Sequence, residues 1–131
     1  MKKEQFDNLE KQLLKRGYKK YYQHWHHEDY VLGKSFHRDD NRFDEDREGF
    51  QLLLYVYDYT LHPEWYDRIP KEQRDRVGIE IHVDVSRIMD ERMDFTTFWE
   101  DNTSIEEAER LAESFYQWVC TEYPEPQNIN H

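Results

Sequence analysis

One segment constrains this chain more than any other. Phe50–Leu61, Phe-Gln-Leu-Leu-Leu-Tyr-Val-Tyr-Asp-Tyr-Thr-Leu, is the most apolar stretch in a sequence whose mean hydropathy is −1.19. Its aromatic and branched residues fall on both alternating faces, which predicts a long strand buried on both sides and hence central in a sheet. Side-chain parity then assigns Phe50, Leu52, Leu54 and Val56 to one face. Leu53, Tyr55, Tyr57 and Tyr59 go to the other.

The flanking sequence supplies partners for such a strand. Phe6, Leu9 and Leu13 recur at helical spacing within Lys3–Arg16, with Leu14 beside them and Gly17 placed to end the helix. Tyr18–Trp25 and Tyr30–His37 are aromatic-rich runs on either side of His26-His27-Glu28-Asp29, the pattern of a β-hairpin. Arg38–Glu48 reads as an exposed acidic loop, and His62–Arg76 as a connection with a short helical turn opened by Pro70.

Val77–Arg87 alternates Ile79, Ile81, Val83 and Val85 with Glu80, His82 and Asp84, which predicts a half-buried strand. Met89-Asp90-Glu91 then reads as a turn, and Met93–Trp99 as a return strand of weaker pattern. Ser104 and Glu107 form a capping box ahead of Ile105, Ala108, Leu111, Ala112, Phe115, Trp118 and Val119, which mark the apolar face of a last helix. Pro124 and Pro126 stop that helix.

The sum is an α+β fold: an antiparallel four- or five-stranded meander sheet with N-terminal and C-terminal helices packed on one face. Residues 1–124 form a single domain, and 125–131 a frayed C-terminal tail. The element order resembles that of the double-stranded RNA-binding domain. That module is smaller and basic, and its lysine-rich helix start is absent here.

Composition narrows the function classes. Charged residues are 36% of the chain, so the core must draw on its ten Tyr and four Trp as well as its aliphatics. The first twenty residues are net +4 and the remainder −15, giving −11 in all. So negative a body repels phosphate and argues against nucleic-acid or anionic-membrane partners. The sequence holds no apolar run long enough to span a bilayer, no apolar stretch after Lys2-Lys3 that would make a secretory signal, and one cysteine, Cys120. A cytoplasmic protein is expected.

Catalytic constellations are not evident. Cys120 lies beside the apolar arc of a helix, and the four glycines are isolated, so no phosphate loop is encoded. Glu80 and Asp84, four apart on a strand, stand ~13 Å apart, too far for a paired-carboxylate mechanism. Asp44-x-Asp46-x-Glu48-Gly49 matches the first half of a calcium loop, but Tyr55 stands where a bidentate Glu is required. His24 and His26, two apart on one strand face, are candidate metal ligands.

With both helices on one side of the sheet, the opposite side is free to meet something. Tyr55, Tyr57 and Tyr59 beside Glu80, His82 and Asp84 make that face the candidate binding surface. The function expected is therefore a non-enzymatic, acidic protein-interaction module of inhibitor, immunity or regulatory type, with a protein partner or self-association and no cofactor. Two alternatives are a small-ligand or metal-binding domain using strand His, Glu and Asp residues, and an acidic nucleic-acid mimic.

Overall fold

A computed structural model describes residues 1–22, 28–38, 50–88 and 91–122. The acidic loop beyond Arg38, the turn at Met89-Asp90 and the tail 125–131 lie outside the described residues. The elements are α1 (Lys3–Lys15), β1 (Lys19–Tyr21), β2 (Tyr30–Phe36), β3 (Phe50–Asp58), β4 (Val77–Ile88), β5 (Glu91–Phe98) and α2 (Ile105–Glu122). The five strands form one sheet in the order β1-β2-β3-β4-β5, every neighbouring pair antiparallel. This is the expected meander with a helix at each end, and the weakly patterned fifth strand is present.

β3 is central and doubly buried, as its composition dictates: Leu52 through Val56 are all buried. Leu52, Leu54 and Val56 share one face with Tyr30, Leu32, Ile79, Ile81 and Val83. Phe6 and Leu13 of α1 and Ile105, Ala108, Ala112 and Val119 of α2 close over that face in a single apolar cluster. Both helices thus cover one side of the sheet.

Polar contacts fix the helices to each other and to the strands. Arg16, just past α1, pairs with Glu106 and Glu109 of α2. Glu109 also accepts a hydrogen bond from the buried Tyr18 hydroxyl at 2.9 Å and lies 3.6 Å from Lys34. Burial alone would raise the Glu109 carboxyl, but the donors Arg16 and Tyr18 outweigh it and hold it below its ordinary value. At the far end of β2, His37 adopts φ +53°. Its ring stacks on Tyr116 at 3.5 Å between centroids, and its Nε2 lies 2.6 Å from Glu113.

Two details of α2 depart from the sequence reading. The Ser104 hydroxyl caps the Glu107 amide at 3.1 Å as expected, but the Glu107 carboxylate pairs with Arg110 instead of reaching back. Trp118, counted in the apolar face, is 49% exposed. Its ring stacks on Phe115, which packs against Phe50 of β3 and Phe95 of β5.

Where β3 ends, Asp58 is fully buried and bonded to the Lys3 ammonium at 2.5 Å. Its other oxygen accepts from the Thr60 amide and hydroxyl, at 3.0 and 2.5 Å. Burial works to raise this carboxyl, but Lys3 and Thr60 together hold it below its ordinary value. Replacing Lys3 with Met leaves that charge buried without its cation. The expected loss is about 2–3 kcal/mol in a urea titration at neutral pH, less than for a fully buried pair because Lys3 is partly solvated. Because the Asp58 value is depressed on folding, the pair stabilises fully above the ordinary carboxylate range. That contribution fades as pH falls through the folded value.

Candidate functional site: the outer sheet face and the β5 margin

The face away from the helices follows from register. β3 sets Tyr55 opposite Glu80, Leu53 opposite His82 and Gln51 opposite Asp84. β5 sets Phe98, Thr96 and Asp94 opposite the same three β4 residues. Cross-strand partners share a face, so Glu80, His82 and Asp84 form one row, with Tyr55 and Tyr57 on one side and β5 on the other. Five of the six binding residues read from sequence are brought together here.

The sixth, Tyr59, is not on the strand. The Asp58 side chain captures Thr60 and turns the chain into a 3-10 turn over Tyr59–Leu61. The Tyr59 ring lies edge-on to Trp65, and its hydroxyl stands 3.5 Å from where a Gly78 Cβ would be. An Asp-x-Thr at the end of an apolar run was the available signal for this turn.

The tyrosine stripe is not an open surface. Tyr55 is only 8% exposed and packs with Val31 and Leu53 in a second buried cluster, supported by Tyr21 and Tyr57. Its ring stacks on His82 with centroids 3.9 Å apart. Gly33 permits this closure, since a Cβ there would stand 2.9 Å from Leu53 Cδ2 and 3.1 Å from Tyr21 Cε2. A stripe expected to await a partner is thus largely consumed in packing against its own sheet neighbours.

The polar row is likewise engaged internally. Tyr57 donates to Glu80 Oε2 at 3.1 Å, and burial, followed by the nearby Glu80 and Glu28 charges, pushes its hydroxyl above the ordinary phenol range. His82 Nε2 lies 3.1 Å from Glu80 Oε1 but off the hydrogen-bonding direction. Its Nδ1 lies 3.4 Å from Thr96 Oγ1. Glu28 is 5% exposed, and neither of its oxygens has a hydrogen-bond partner among the described residues.

What remains open is the β5 margin. Phe98, on the outer face, is 65% exposed. On the helix side of the same strand, Phe95 is 37% exposed and lies 5.9 Å from Phe115, which stacks in turn on Trp118. Sequence reasoning assigned these aromatics to the core or passed over them.

A second feature went unread. His62 lies between two carboxylates, its Nε2 against Asp29 and its Nδ1 2.8 Å from Glu64, with its ring stacked on Trp65 at 3.7 Å. Asp29 also accepts from the Asp58 amide at 2.7 Å, so this clasp ties the start of β2 to the turn after β3. Only the Glu64 spacing of two was legible in sequence.

A metal reading gains little. Among the described residues no group of three His, Cys, Asp or Glu side chains converges as a metal site. His24 and His26 lie outside the described residues. A groove of about 520 Å³ opens on the helix side, lined by Met1, Gln5, Leu9, Arg76, Trp99 and Ser104 among others, away from the outer face. No helix of the structure is long and apolar enough to cross a membrane, among the described residues. No family model, curated protein or solved structure matches the chain.

Two measurements check this geometry. Tyr55→Ala removes a ring buried against His82 and Leu53 and is expected to cost about 3 kcal/mol in chemical denaturation, the magnitude of a core truncation. The clasp should show in pH dependence. Burial opposes the charged form of His62, but the bonds to Glu64 and Asp29 outweigh it and raise its value above the ordinary 6.5. The clasp therefore stabilises fully below about pH 6.5 and loses its contribution as pH climbs through the raised folded value. Melting temperatures between pH 6 and pH 9 should fall less in His62→Gln than in the parent chain.

Proposed function

We propose that this chain is a non-enzymatic, acidic protein-interaction module, and that its contact surface is the β5 margin of the outer sheet face rather than the tyrosines at its centre. The observation that carries the reading is the exposure of Phe98 beside Glu80. A large, rigid apolar ring left in water and rimmed by carboxylates is the composition of a binding anchor. The −11 charge of the chain favours partners with basic clefts, which it would attract from a distance and orient on approach. Tyr55, Tyr57 and His82 serve this surface from beneath by holding β3 and β4 rigid.

A second reading has one observation in its favour. A carboxylate as buried as Glu28 and without a hydrogen bond is costly unless compensated. Its place near the Tyr57 ring suits a small cationic ligand. Calorimetric titration with simple amines and guanidinium compounds tests it, and heat that disappears in Glu28→Gln would favour it.

For the interaction reading, Phe98→Asp should lower stability by no more than about 1 kcal/mol, the cost of a like charge opposite Glu80, because the ring itself is exposed. It should weaken partner capture about tenfold or more, as loss of an aromatic anchor does. Capture that is indifferent to Phe98→Asp would remove the β5 margin from the contact surface.

A further inference from the structure

The exposed margin has a backbone as well as side chains, and the backbone is informative. The Trp99 amide donates to Ile79 at 3.0 Å, which makes 99 and 79 a hydrogen-bonded pair. Antiparallel strands alternate hydrogen-bonded and non-hydrogen-bonded pairs. Phe98, Thr96 and Asp94, opposite Glu80, His82 and Asp84, are therefore non-hydrogen-bonded with β4. Their N–H and C=O groups turn away from the sheet, toward a side on which no strand pairs among the described residues.

The two sheet edges are not alike. β1 spans three residues and carries exposed Lys19 and Lys20, the usual protection of an edge. β5 runs for eight residues, Glu91–Phe98, without proline, and its charged residues Glu91, Arg92 and Asp94 all fall in its first half, leaving Phe95–Phe98 uncharged. Its open side is flanked by Phe98 on the outer face and by Phe95 and Trp118 on the helix face, all more than a third exposed.

Charge selects what can sit there. Asp94 is exposed on the outer face at the open edge of β5. A strand added beyond β5 would set one of its own outer-face residues beside Asp94, and a Lys or Arg there would pair with it. The residues on either side of that cation in the added strand would point to the helix face, toward Phe95 and Trp118, where apolar side chains fit. A second copy of this chain is the less suitable occupant, since each copy carries −11.

We propose that the free edge of β5 receives an extended segment of a partner protein as a sixth strand, and that the segment alternates apolar residues with at least one basic residue opposite Asp94. This deepens the interaction reading and rests on it for the β5 margin. Main-chain hydrogen bonds to Asp94, Thr96 and Phe98 would supply affinity, and the alternating side chains would supply selection.

The test uses the full chain, labelled for amide NMR, with two short synthetic peptides. One alternates Val with Lys and Thr, and the other is identical but for Glu in place of each Lys. The lysine peptide is expected to slow hydrogen exchange at the Asp94, Thr96 and Phe98 amides, and the glutamate peptide to bind about tenfold more weakly or less, as a like-charge juxtaposition requires. Asp94→Lys should reverse that preference while the chain stays folded by circular dichroism. N-methylating alternate backbone amides of the lysine peptide should abolish protection with the side chains unchanged.

Lack of protection at those three amides with the lysine peptide, or equal binding of both peptides, overturns the proposal. So does concentration-dependent protection of the same amides in the peptide-free chain, which would make a second copy the occupant. If Phe98→Asp abolishes partner capture while the peptides leave β5 unprotected, strand addition fails and the interaction reading stands. If capture ignores Phe98 and the lysine peptide still protects β5, the reverse holds.

Discussion

Burial of both faces of β3 is the constraint from which the rest of the architecture follows. A strand carrying Leu52, Leu54 and Val56 on one side and Leu53 and Tyr55 on the other needs cover on two sides. The helices supply one cover through Phe6, Leu13, Ala108, Ala112 and Val119. The other is improvised from the sheet itself, with Tyr21, Val31, Tyr57 and the His82 ring lying over Leu53 and Tyr55. Among the described residues no further layer covers this face, and aromatic side chains lying across neighbouring strands fill the gap.

That economy explains where apolar surface is left over. Cover from neighbouring strands is best at the centre of a sheet and poorest at its edge. Tyr55 is enclosed because β2 and β4 flank it, whereas Phe98 has β4 on one side only. α2 adds to the imbalance with Trp118, which is half exposed and stacks on Phe115, itself packed against Phe50 and Phe95. Phe95 and Phe98 are therefore left exposed at β5, as Tyr22 is beyond β1 at the opposite edge.

Much of this was readable from residues alone. The alternation of Ile79, Ile81 and Val83 against Glu80, His82 and Asp84 assigns both faces of β4, and antiparallel register carries the assignment to β3 and β5. The Ser104 cap and the spacing of Ile105, Ala108 and Ala112 place α2. What parity could not convey is degree of burial. Tyr55 and Phe98 are both aromatic residues on the outer face, and only their distance from the sheet edge separates 8% exposure from 65%. Contacts between residues far apart in sequence were also hidden, as with Asp29 and His62, or Arg16 and Glu109. Tyr59 was misplaced by extending a strand period past Asp58, whose buried carboxylate ends the strand through Lys3 and Thr60.

The two helices lie over a single side of the sheet, with a separate apolar cluster on the other. Nuclear Overhauser contacts from the Tyr55 ring test this most directly. They should reach Val31, Leu53 and His82 and no methyl of α1 or α2, while the Val119 and Ala112 methyls should contact the Leu52, Leu54 and Ile81 set. Contacts from Tyr55 or Tyr57 to helix methyls would contradict it, because the outer face and the β5 margin would then be covered by a helix.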